Sequence, residues 1–413
     1  MTDARPPKKR PAAPVADLHR VKTAKLAWIR DTRNRIVSSN IENIRLALTH
    51  LNISVSYDAF ARELRINGAP IVDDLTFEQI WTQITDRCGW QPHRRNLQTV
   101  IICDAQAHAT HPVRTYLAGL TWDGIARLDR WLVTYGGAAD TPYVRGVSPL
   151  PLLAAVRRIR VPGTKFDELL TLESGQGKGK STALRILSVV DDWFSDDLPL
   201  GVDAKVVIER TAGKWLIEAA ELVGNRGRET DTLKAFLCRQ VDGPVRMAYG
   251  RLSTSVPRQF VMIGTTNHRT NYLKDMTGAR RFWPVTVKRF NIDALAQDRD
   301  QLWAEAVARE PEASIRLAPE LWGDAAMEQE ARRADDPWEE VIEARLSDGI
   351  GRITSIAAAE IWNALGVDAN LRDNRHADRV AAIMDRLGYQ KGRTPAGRIW
   401  ERVEHAADHD EHM

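Results

Sequence analysis

The chain is poor in cysteine and has no long apolar run. It has three cysteines in 413 residues, Cys88, Cys103 and Cys238, and they form no CxxC pair. Neither a disulfide framework nor a structural zinc site is therefore expected. No apolar segment approaches the ~20 residues that a membrane-spanning helix requires, and the basic N-terminus lacks the apolar segment of a secretory signal. We predict a reduced, cytoplasmic protein without a membrane partner.

The net charge is also small, at +3, but it is unevenly distributed. Residues 1–35 contain ten Lys and Arg against three Asp, which gives this segment +7 and leaves −4 for the rest of the chain. Its opening PPKKRPAAP is proline-rich as well, a composition typical of a disordered basic arm. Such an arm is either a solubilising tail or a non-specific tether to nucleic-acid phosphates.

The apolar pattern divides the rest of the chain into three predicted domains and an acidic tail. A mainly helical domain is expected over 36–145, with helices at 40–51, 77–88 and 96–107 and strands at 53–58 and 61–68. Over 146–325, short apolar runs within 167–173, 213–219 and 258–267 alternate with helical stretches at 182–190 and 232–239. This alternation predicts an α/β sheet of buried parallel strands.

The stretch LESGQGKGKST, residues 172–182, resembles the loop that binds nucleotide phosphates. Alignment to GxxxxGK[ST] places Ser174, Gly179, Lys180 and Ser181 at the fixed positions, with serine replacing the first glycine. Because that position requires backbone freedom and not a hydroxyl, we expect glycine at 174 to be neutral or mildly favourable. Lys180 would contact the β- and γ-phosphates and Ser181 would bind Mg²⁺. The alternative is a chance glycine-rich turn. The predicted ligands are ATP and Mg²⁺, and the predicted nucleotide-binding residues are Ser174, Gly175, Gln176, Gly177, Lys178, Gly179, Lys180, Ser181 and Thr182.

Acidic, amide and guanidinium side chains follow the later strands. Glu218 and Glu221 lie at one strand exit, where the first would hold Mg²⁺ and the second would polarise water, unless both are solvated acids. Asn267 follows the next strand and is a candidate for positioning water. Arg280 and Arg281 are candidates for stabilising transition-state charge on a neighbouring subunit's nucleotide; the alternative is a surface ion pair.

Two further segments suit nucleic acid. Residues 241–244 are turn-forming, and a hairpin there would present Arg246, Tyr249 and Arg251 to a DNA strand, or would be an exposed edge protected by charge. Residues 337–403 predict a winged helix. Its helices are expected at 353–365 and 376–387, and a basic hairpin at 388–403 carries the candidate contacts Lys391, Arg393 and Arg398. This domain binds either DNA or protein, and the tail 404–413 is expected to be solvated.

The residues from 111 to 287 resemble the virulence-associated protein E family of phage and prophage replication proteins. The pieces that carry the resemblance are, in order, HPVRTYL, LTWDGIARL, VPGTKFDELLTLESGQGKGKS, GKWLIEAAEL, LKAFLCRQVD, YGR, PRQFVMIGTTN and LKDMTGARRFWPV.

This resemblance implies an α/β P-loop NTPase core of the AAA+ or superfamily 3 helicase type. Such cores assemble as rings, usually homohexamers. In them a neighbouring subunit supplies the arginine finger, and DNA passes hairpins between the second and third ATPase strands. The expected function is an ATP-dependent DNA helicase or replication-initiation ATPase, acting on single-stranded or origin DNA with host replication proteins as further partners. The alternative is an ATP-switched loader that binds DNA without unwinding it. Primase activity is not expected.

Overall fold

A computed structural model describes residues 27–197, 200–220, 227–246, 252–268, 270, 272–273, 279–334, 336–347, 351–395 and 397–403. The chain divides into two compact units, Met1–Thr115 and Tyr116–Met413. Among the described residues, no helix is both long and apolar enough to cross a bilayer.

From residue 27 onward, where the structure describes it, the first unit contains a small sheet and three complete helices. Its elements are α1 (Ile41–His50), β1 (Val55–Asp58), β2 (Glu63–Ile66), β3 (Ala69–Pro70), α2 (Leu75–Cys88), α3 (Arg94–Ala107) and β4 (Ala109–Thr110), with the sheet order β3-β2-β1-β4. The Asn40 side chain caps α1 by accepting from the backbone amides of Glu42 and Asn43. The helices and strands predicted from the sequence between 40 and 107 are confirmed.

The second unit begins with short helices and continues into alternating strands and helices. Up to the central sheet and its covering helix the elements are α4 (Pro112–Ala118, which spans the unit boundary), α5 (Trp131–Thr134), α6 (Pro142–Val147), α7 (Leu150–Arg160), β5 (Leu169–Glu173), α8 (Lys180–Leu187), β6 (Phe194–Ser195), α9 (Ala204–Thr211), β7 (Leu216–Ala220), α10 (Gly227–Leu237), β8 (Val241–Arg246), β9 (Ser253–Pro257), β10 (Val261–Thr266), β11 (Phe282–Thr286) and α11 (Ile292–Arg309). Residues 116–145 group with this unit. There, the Trp131 indole donates to the Ser148 carbonyl and Tyr135 donates to Asp298.

The centre of the second unit is a five-stranded sheet in the order β11-β5-β10-β7-β6. All four strand pairings are parallel. Every residue of β5 and β10 is buried, which explains why these strands read as continuous apolar runs and not as an alternating pattern. The predicted sheet of buried parallel strands is confirmed, and the carboxyl ends of β5, β7 and β10 lie at one edge.

Strands β8 and β9 form an antiparallel hairpin between β7 and β10 in the chain. The turn predicted at 241–244 is wrong, because these residues lie inside β8. The register shifts between Asp242 and Val245, where Gly243 has φ 104° and Pro244 has no amide hydrogen to donate. A bulge of this kind bends a strand without reversing it. Strand β8 continues to Arg246, which pairs with Ser253 of β9.

Residues 336–403, here called the C-terminal module, follow α12 (Trp322–Glu330). The module contains α13 (Pro337–Arg345), β12 (Ser355–Ala357), α14 (Ala358–Ala364), α15 (Asn374–Arg386), β13 (Tyr389–Thr394) and β14 (Gly397–Arg402), with the sheet order β12-β14-β13. The continuous helix predicted at 353–365 is wrong in its first part. Ile356 pairs with Trp400 and is buried in the core of the module, so the segment becomes a strand. The helix expected at 376–387 and the hairpin at 388–403 are confirmed.

Candidate functional site

The residues of the candidate site meet at the carboxyl edge of the central sheet. Strand β5 leads into residues 174–179, here called the glycine-rich loop, and α8 begins directly after it. In parallel α/β sheets, ligands bind outside the carboxyl ends of the strands. The loop is exposed from Gly175 to Lys178, while the flanking Ser174 and Lys180 are buried.

Two glycines give the loop its shape. Gly177 has φ 73° and Gly179 has φ 84°, a region that side chains with a Cβ rarely adopt. Gly179 also lies against Phe290 and Ile292, so a Cβ there would be crowded. It is the N-cap of α8, and the free amides at a helix N-terminus favour an anion.

The Lys180 ammonium lies inside the loop. Nζ donates to the Ser174 carbonyl at 2.9 Å, to Ser174 Oγ at 2.9 Å, to the Gly175 carbonyl at 3.4 Å and to Asn267 Oδ1 at 3.2 Å. Burial lowers the pKa of Lys180, and the charge of Glu218 opposes that shift. The structure therefore brings the predicted lysine and the predicted amide of Asn267 into direct contact.

Ser174 has a role that the sequence pattern does not predict. Its φ is not positive, so the backbone at this position does not need glycine. The hydroxyl donates to the Gly175 carbonyl at 3.2 Å, which leaves its lone pairs facing Lys180 Nζ. The expectation that glycine at 174 would be neutral or favourable assumed that this position requires backbone freedom. The φ of Ser174 and the contact of its hydroxyl with Lys180 contradict that assumption.

Glu218 lies beneath the start of α8. It belongs to β7 and is 2 % exposed. Its Oε1 accepts from Ser181 Oγ at 2.8 Å and from Thr265 Oγ1 on the neighbouring strand β10. A hydroxyl and a carboxylate oxygen thus lie together at the N-terminus of the helix, and hard oxygen donors of this kind suit Mg²⁺. Thr182, also predicted for nucleotide binding, is exposed one residue further along α8.

Arg280 and Arg281 occupy different environments. The Arg281 side chain is 20 % exposed and its Nε lies 3.5 Å from Asp167 Oδ2. Arg280 is exposed and has no ion-pair partner among the described residues. Of the other predicted residues, Gln176 and Lys178 lie in the exposed part of the loop, whereas Glu221, Tyr249 and Arg251 lie outside the described residues.

A family model places this architecture among known proteins. The virulence-associated protein E-like domain matches residues 117–335, more than half of the chain. The chain belongs to this family. None of the curated proteins matches it.

Two solved structures similar to this family member differ strongly from it in sequence. "The apo structure of NrS-1 C terminal region (305-718)" has a TM-score of 0.46 at 10% identity and covers 87% of this chain and 98% of its own. "The X-ray structure of JCV Helicase" has a TM-score of 0.23 at 12% identity and covers 62% of this chain and 76% of its own.

In this family member the three predicted basic residues of the C-terminal hairpin share one face. Arg393 pairs directly with Arg398, and Lys391 pairs with Trp400. Paired residues of an antiparallel ladder lie on the same side of a sheet, and like charges directly opposite each other are destabilising. Arg393 and Arg398 are both exposed, so an anion could lie between them.

Two of the three arginines of α15 are engaged within the module. Arg379 donates to both carboxylate oxygens of Asp336 at 2.9 and 2.6 Å, and Arg386 donates to Glu339 at 2.9 Å. Asp336 and Glu339 belong to the start of α13. The predicted DNA-reading helix therefore has two of its cations neutralised, whereas Lys391, Arg393 and Arg398 of the hairpin form no ion pair with any residue that the structure describes.

The β8–β9 hairpin is fixed at its base by a buried ion pair that the sequence pattern does not reveal. Arg258 donates to both oxygens of Asp242 at 2.7 Å, and both side chains are almost fully buried. The Arg258 guanidinium also stacks 4.1 Å above the centre of the Phe236 ring of α10. Arg246 lies at the exposed end of β8. The base of the hairpin is thus closed by a buried ion pair and joined to α10 by a cation–π contact.

Proposed function

We propose that this protein is an Mg²⁺-dependent ATPase of the P-loop class that works on DNA. The observation that carries the proposal is the arrangement around α8. A buried lysine points into a glycine-rich loop, and the next residue, Ser181, is hydrogen-bonded to the strand carboxylate of Glu218. The backbone amides of residues 175–179 would donate hydrogen bonds to phosphate oxygens at the helix N-terminus.

The donor set fits a magnesium ion that is shared with a nucleotide. Among the described residues no group of three or more His, Cys, Asp or Glu could hold a metal. Mg²⁺ in phosphate-transfer sites is typically held by one or two protein oxygens, phosphates and water, and Ser181 and Glu218 would supply the protein oxygens. The metal would neutralise charge on the phosphate oxygens.

Lys180 has four acceptors for three hydrogens in this structure. The contacts to Gly175 and Asn267 are the longer ones. A phosphate would displace these two and leave the Ser174 pair in place. Asn267, once released from Lys180, could then orient a water molecule beside the terminal phosphate. Glu221, which lies outside the described residues, stays the candidate for polarising that water.

Arg280 is the better candidate for an arginine supplied to a neighbouring subunit. It is exposed, whereas Arg281 is held by Asp167 of its own chain. Such fingers contribute roughly 10³–10⁵ in rate in other nucleotide hydrolases. We therefore propose a homo-oligomeric ring, of the hexameric kind expected from the family resemblance, in which Arg280 acts across the subunit interface.

Two surfaces would contact DNA. The C-terminal module has the element order expected of a winged helix, and its basic hairpin face with Lys391, Arg393 and Arg398 suits phosphate contacts. The β8–β9 hairpin, with Arg246 and with Tyr249 and Arg251 outside the described residues, would contact a single strand. Helicase or replication-initiation activity follows from combining these surfaces with the ATPase site; host replication proteins are further candidate partners.

The test is ATP turnover with and without DNA, for wild type and for Lys180→Ala and Glu218→Gln. We expect DNA to stimulate turnover in the wild type, and both variants to lose turnover while keeping their fold by circular dichroism. Any residual turnover of Glu218→Gln should require a higher Mg²⁺ concentration than turnover by the wild type. If Lys180→Ala turned over ATP within a few-fold of wild type, the assignment of the nucleotide site would be wrong.

The second candidate function is an ATP-switched loader without unwinding activity. It is favoured by the ion pairs that two arginines of α15 form with Asp336 and Glu339, since a helix whose cations are engaged in this way also suits protein docking. A strand-displacement assay with ATP and with a non-hydrolysable analogue separates the two functions. Unwinding that requires ATP hydrolysis supports the helicase.

A further inference from the structure

The strand that leads into the glycine-rich loop ends in a fully buried carboxylate. Glu173 is the last residue of β5 and is 0 % exposed. It accepts hydrogen bonds from Tyr272 Oη, from Thr286 Oγ1 at 2.8 Å, and from Nε and Nη2 of Arg332, both at 2.9 Å. A buried carboxylate requires such donors, because leaving it without partners is strongly unfavourable.

The Glu173 partners come from segments that border the site. Tyr272 follows β10 and Asn267, and Thr286 ends β11. Burial and the Glu173 charge raise the pKa of Tyr272, so its phenol keeps the proton and donates it. One carboxylate therefore joins the strand before the loop to the segment after β10 and to the end of β11.

The segment after β11 also contacts both ends of the loop. The Val287 amide donates to the Glu173 carbonyl at 2.8 Å, and the Phe290 amide donates to the Lys178 carbonyl at 3.0 Å. Phe290 lies against Gly179 as well. A shift of β11 relative to β5 would therefore change the shape of the loop.

Arg332 is the charged partner of Glu173 and is 159 residues away in the sequence. Its side chain also donates to Thr286 Oγ1 at 3.3 Å and to the Glu328 carbonyl at 3.1 Å. Its backbone carbonyl accepts from the amides of Tyr272 and Leu273, both at 3.0 Å. The side chain and the backbone of one residue thus hold all three segments together.

We propose that Arg332 is a positioning residue of the nucleotide site, which acts through Glu173 on the glycine-rich loop. The proposal rests on the proposed function as far as nucleotide affinity is concerned, but the positioning of the loop can be measured without nucleotide. The planar guanidinium of Arg332 binds both carboxylate oxygens of Glu173. A lysine cannot reproduce this two-point contact.

Arg332 also lies at the entry to the C-terminal module. The next residue, Arg333, forms ion pairs with Glu330 and with Glu339 of α13, both at 3.0 Å. Arg332, which contacts Glu173 before the loop, is therefore the direct neighbour of Arg333, which forms an ion pair with α13 of the C-terminal module.

The test uses the full-length variants Glu173→Gln, Arg332→Lys and Tyr272→Phe. A matched control is Glu310→Gln. Glu310 is a buried carboxylate with two arginine partners, Arg157 and Arg160, and it lies just past the end of α11 that is distant from the loop. Both Gln variants should lower the melting temperature.

Only the variants at the Glu173 cluster should change the loop. In protein without nucleotide, we expect hydrogen exchange of the backbone amides of 174–182 to rise at least tenfold in Glu173→Gln and Arg332→Lys, less in Tyr272→Phe, and not in Glu310→Gln. The Kd for a non-hydrolysable ATP analogue with Mg²⁺ should rise at least tenfold in the first two variants. The KM for ATP should rise to the same extent, with a smaller change in kcat.

The outcomes separate the two proposals. Loop exchange and analogue affinity at wild-type levels in Glu173→Gln and Arg332→Lys, with only the melting temperature lowered, would overturn the positioning role. A wild-type protein that does not bind the analogue would instead overturn the proposed function. The exchange of 174–182 would still decide whether Arg332 positions the loop.

Discussion

Replacing Ser174 by alanine tests the unexpected contact in the glycine-rich loop. Lys180 Nζ has Ser174 O and Oγ at 2.9 Å, and Asn267 and Gly175 further away. In this structure the ammonium has one acceptor more than it has hydrogens, so the loss of the hydroxyl is partly compensated. With phosphates bound, the two contacts of Lys180 Nζ with the carbonyl and the hydroxyl of Ser174 would remain.

The cost therefore falls mainly on the nucleotide complex. A hydrogen bond to a charged group contributes about 1.5–3 kcal/mol, and about 1.4 kcal/mol corresponds to tenfold in affinity. Because the Ser174 carbonyl remains in the alanine variant, we expect a loss near the lower limit, about tenfold in Kd for ATP. Ser174→Gly leaves room for a water molecule and should lose no more than alanine.

Calorimetric titration with a non-hydrolysable ATP analogue and Mg²⁺ gives this Kd directly. The matched control is Ser188→Ala. Ser188 is equally buried and lies just past the far end of α8, and its hydroxyl donates to the Leu184 carbonyl at 3.0 Å. We expect the control to bind like wild type. Tighter or unchanged binding in both Ser174 variants would refute the reasoning, because the hydroxyl would then serve only the empty loop.

Three further predictions concern turnover and DNA. Arg280→Ala should lose turnover but keep nucleotide binding, and mixing it with Lys180→Ala protein should restore part of the activity; Arg281→Ala should mainly lower the melting temperature, since it loses the Asp167 contact. Burial lowers the pKa of Lys180 in the free protein, and bound phosphates would raise it again. Turnover needs the protonated lysine. As the pH is raised, kcat/KM should therefore decrease at a lower pH than kcat does. Replacing Arg393 and Arg398 by glutamine should weaken binding to all duplexes and reduce its salt dependence; an unchanged salt slope would exclude the hairpin as a phosphate contact.

The features of this protein that depend on local pattern could be predicted from its residues alone. Apolar runs predicted β5, β7 and β10 because parallel strands buried on both faces need continuous apolar residues. The spacing of Gly179, Lys180 and Ser181 predicted a loop at a helix start, since the motif encodes that local geometry. Family membership was also evident from motifs in order along the chain.

Tertiary structure decided everything that depends on partners distant in the chain. Ile356 became a strand residue because Trp400 offered a ladder position, and residues 241–244 stayed in a strand because β9 lies beside them. Helical pattern and turn propensity were overruled by pairing energy in both cases.

The same reason separates the site residues that were predicted from those that were missed. Lys180 follows the loop after strand β5 and Glu218 lies within strand β7. Both strands were recognisable in the sequence, and the carboxyl ends of parallel strands had to meet at one edge. The pairing of Arg281 with Asp167 and of Arg332 with Glu173 involves residues 114 and 159 positions apart. No local pattern encodes such contacts, because they exist only once the sheet has brought the ends of its strands together.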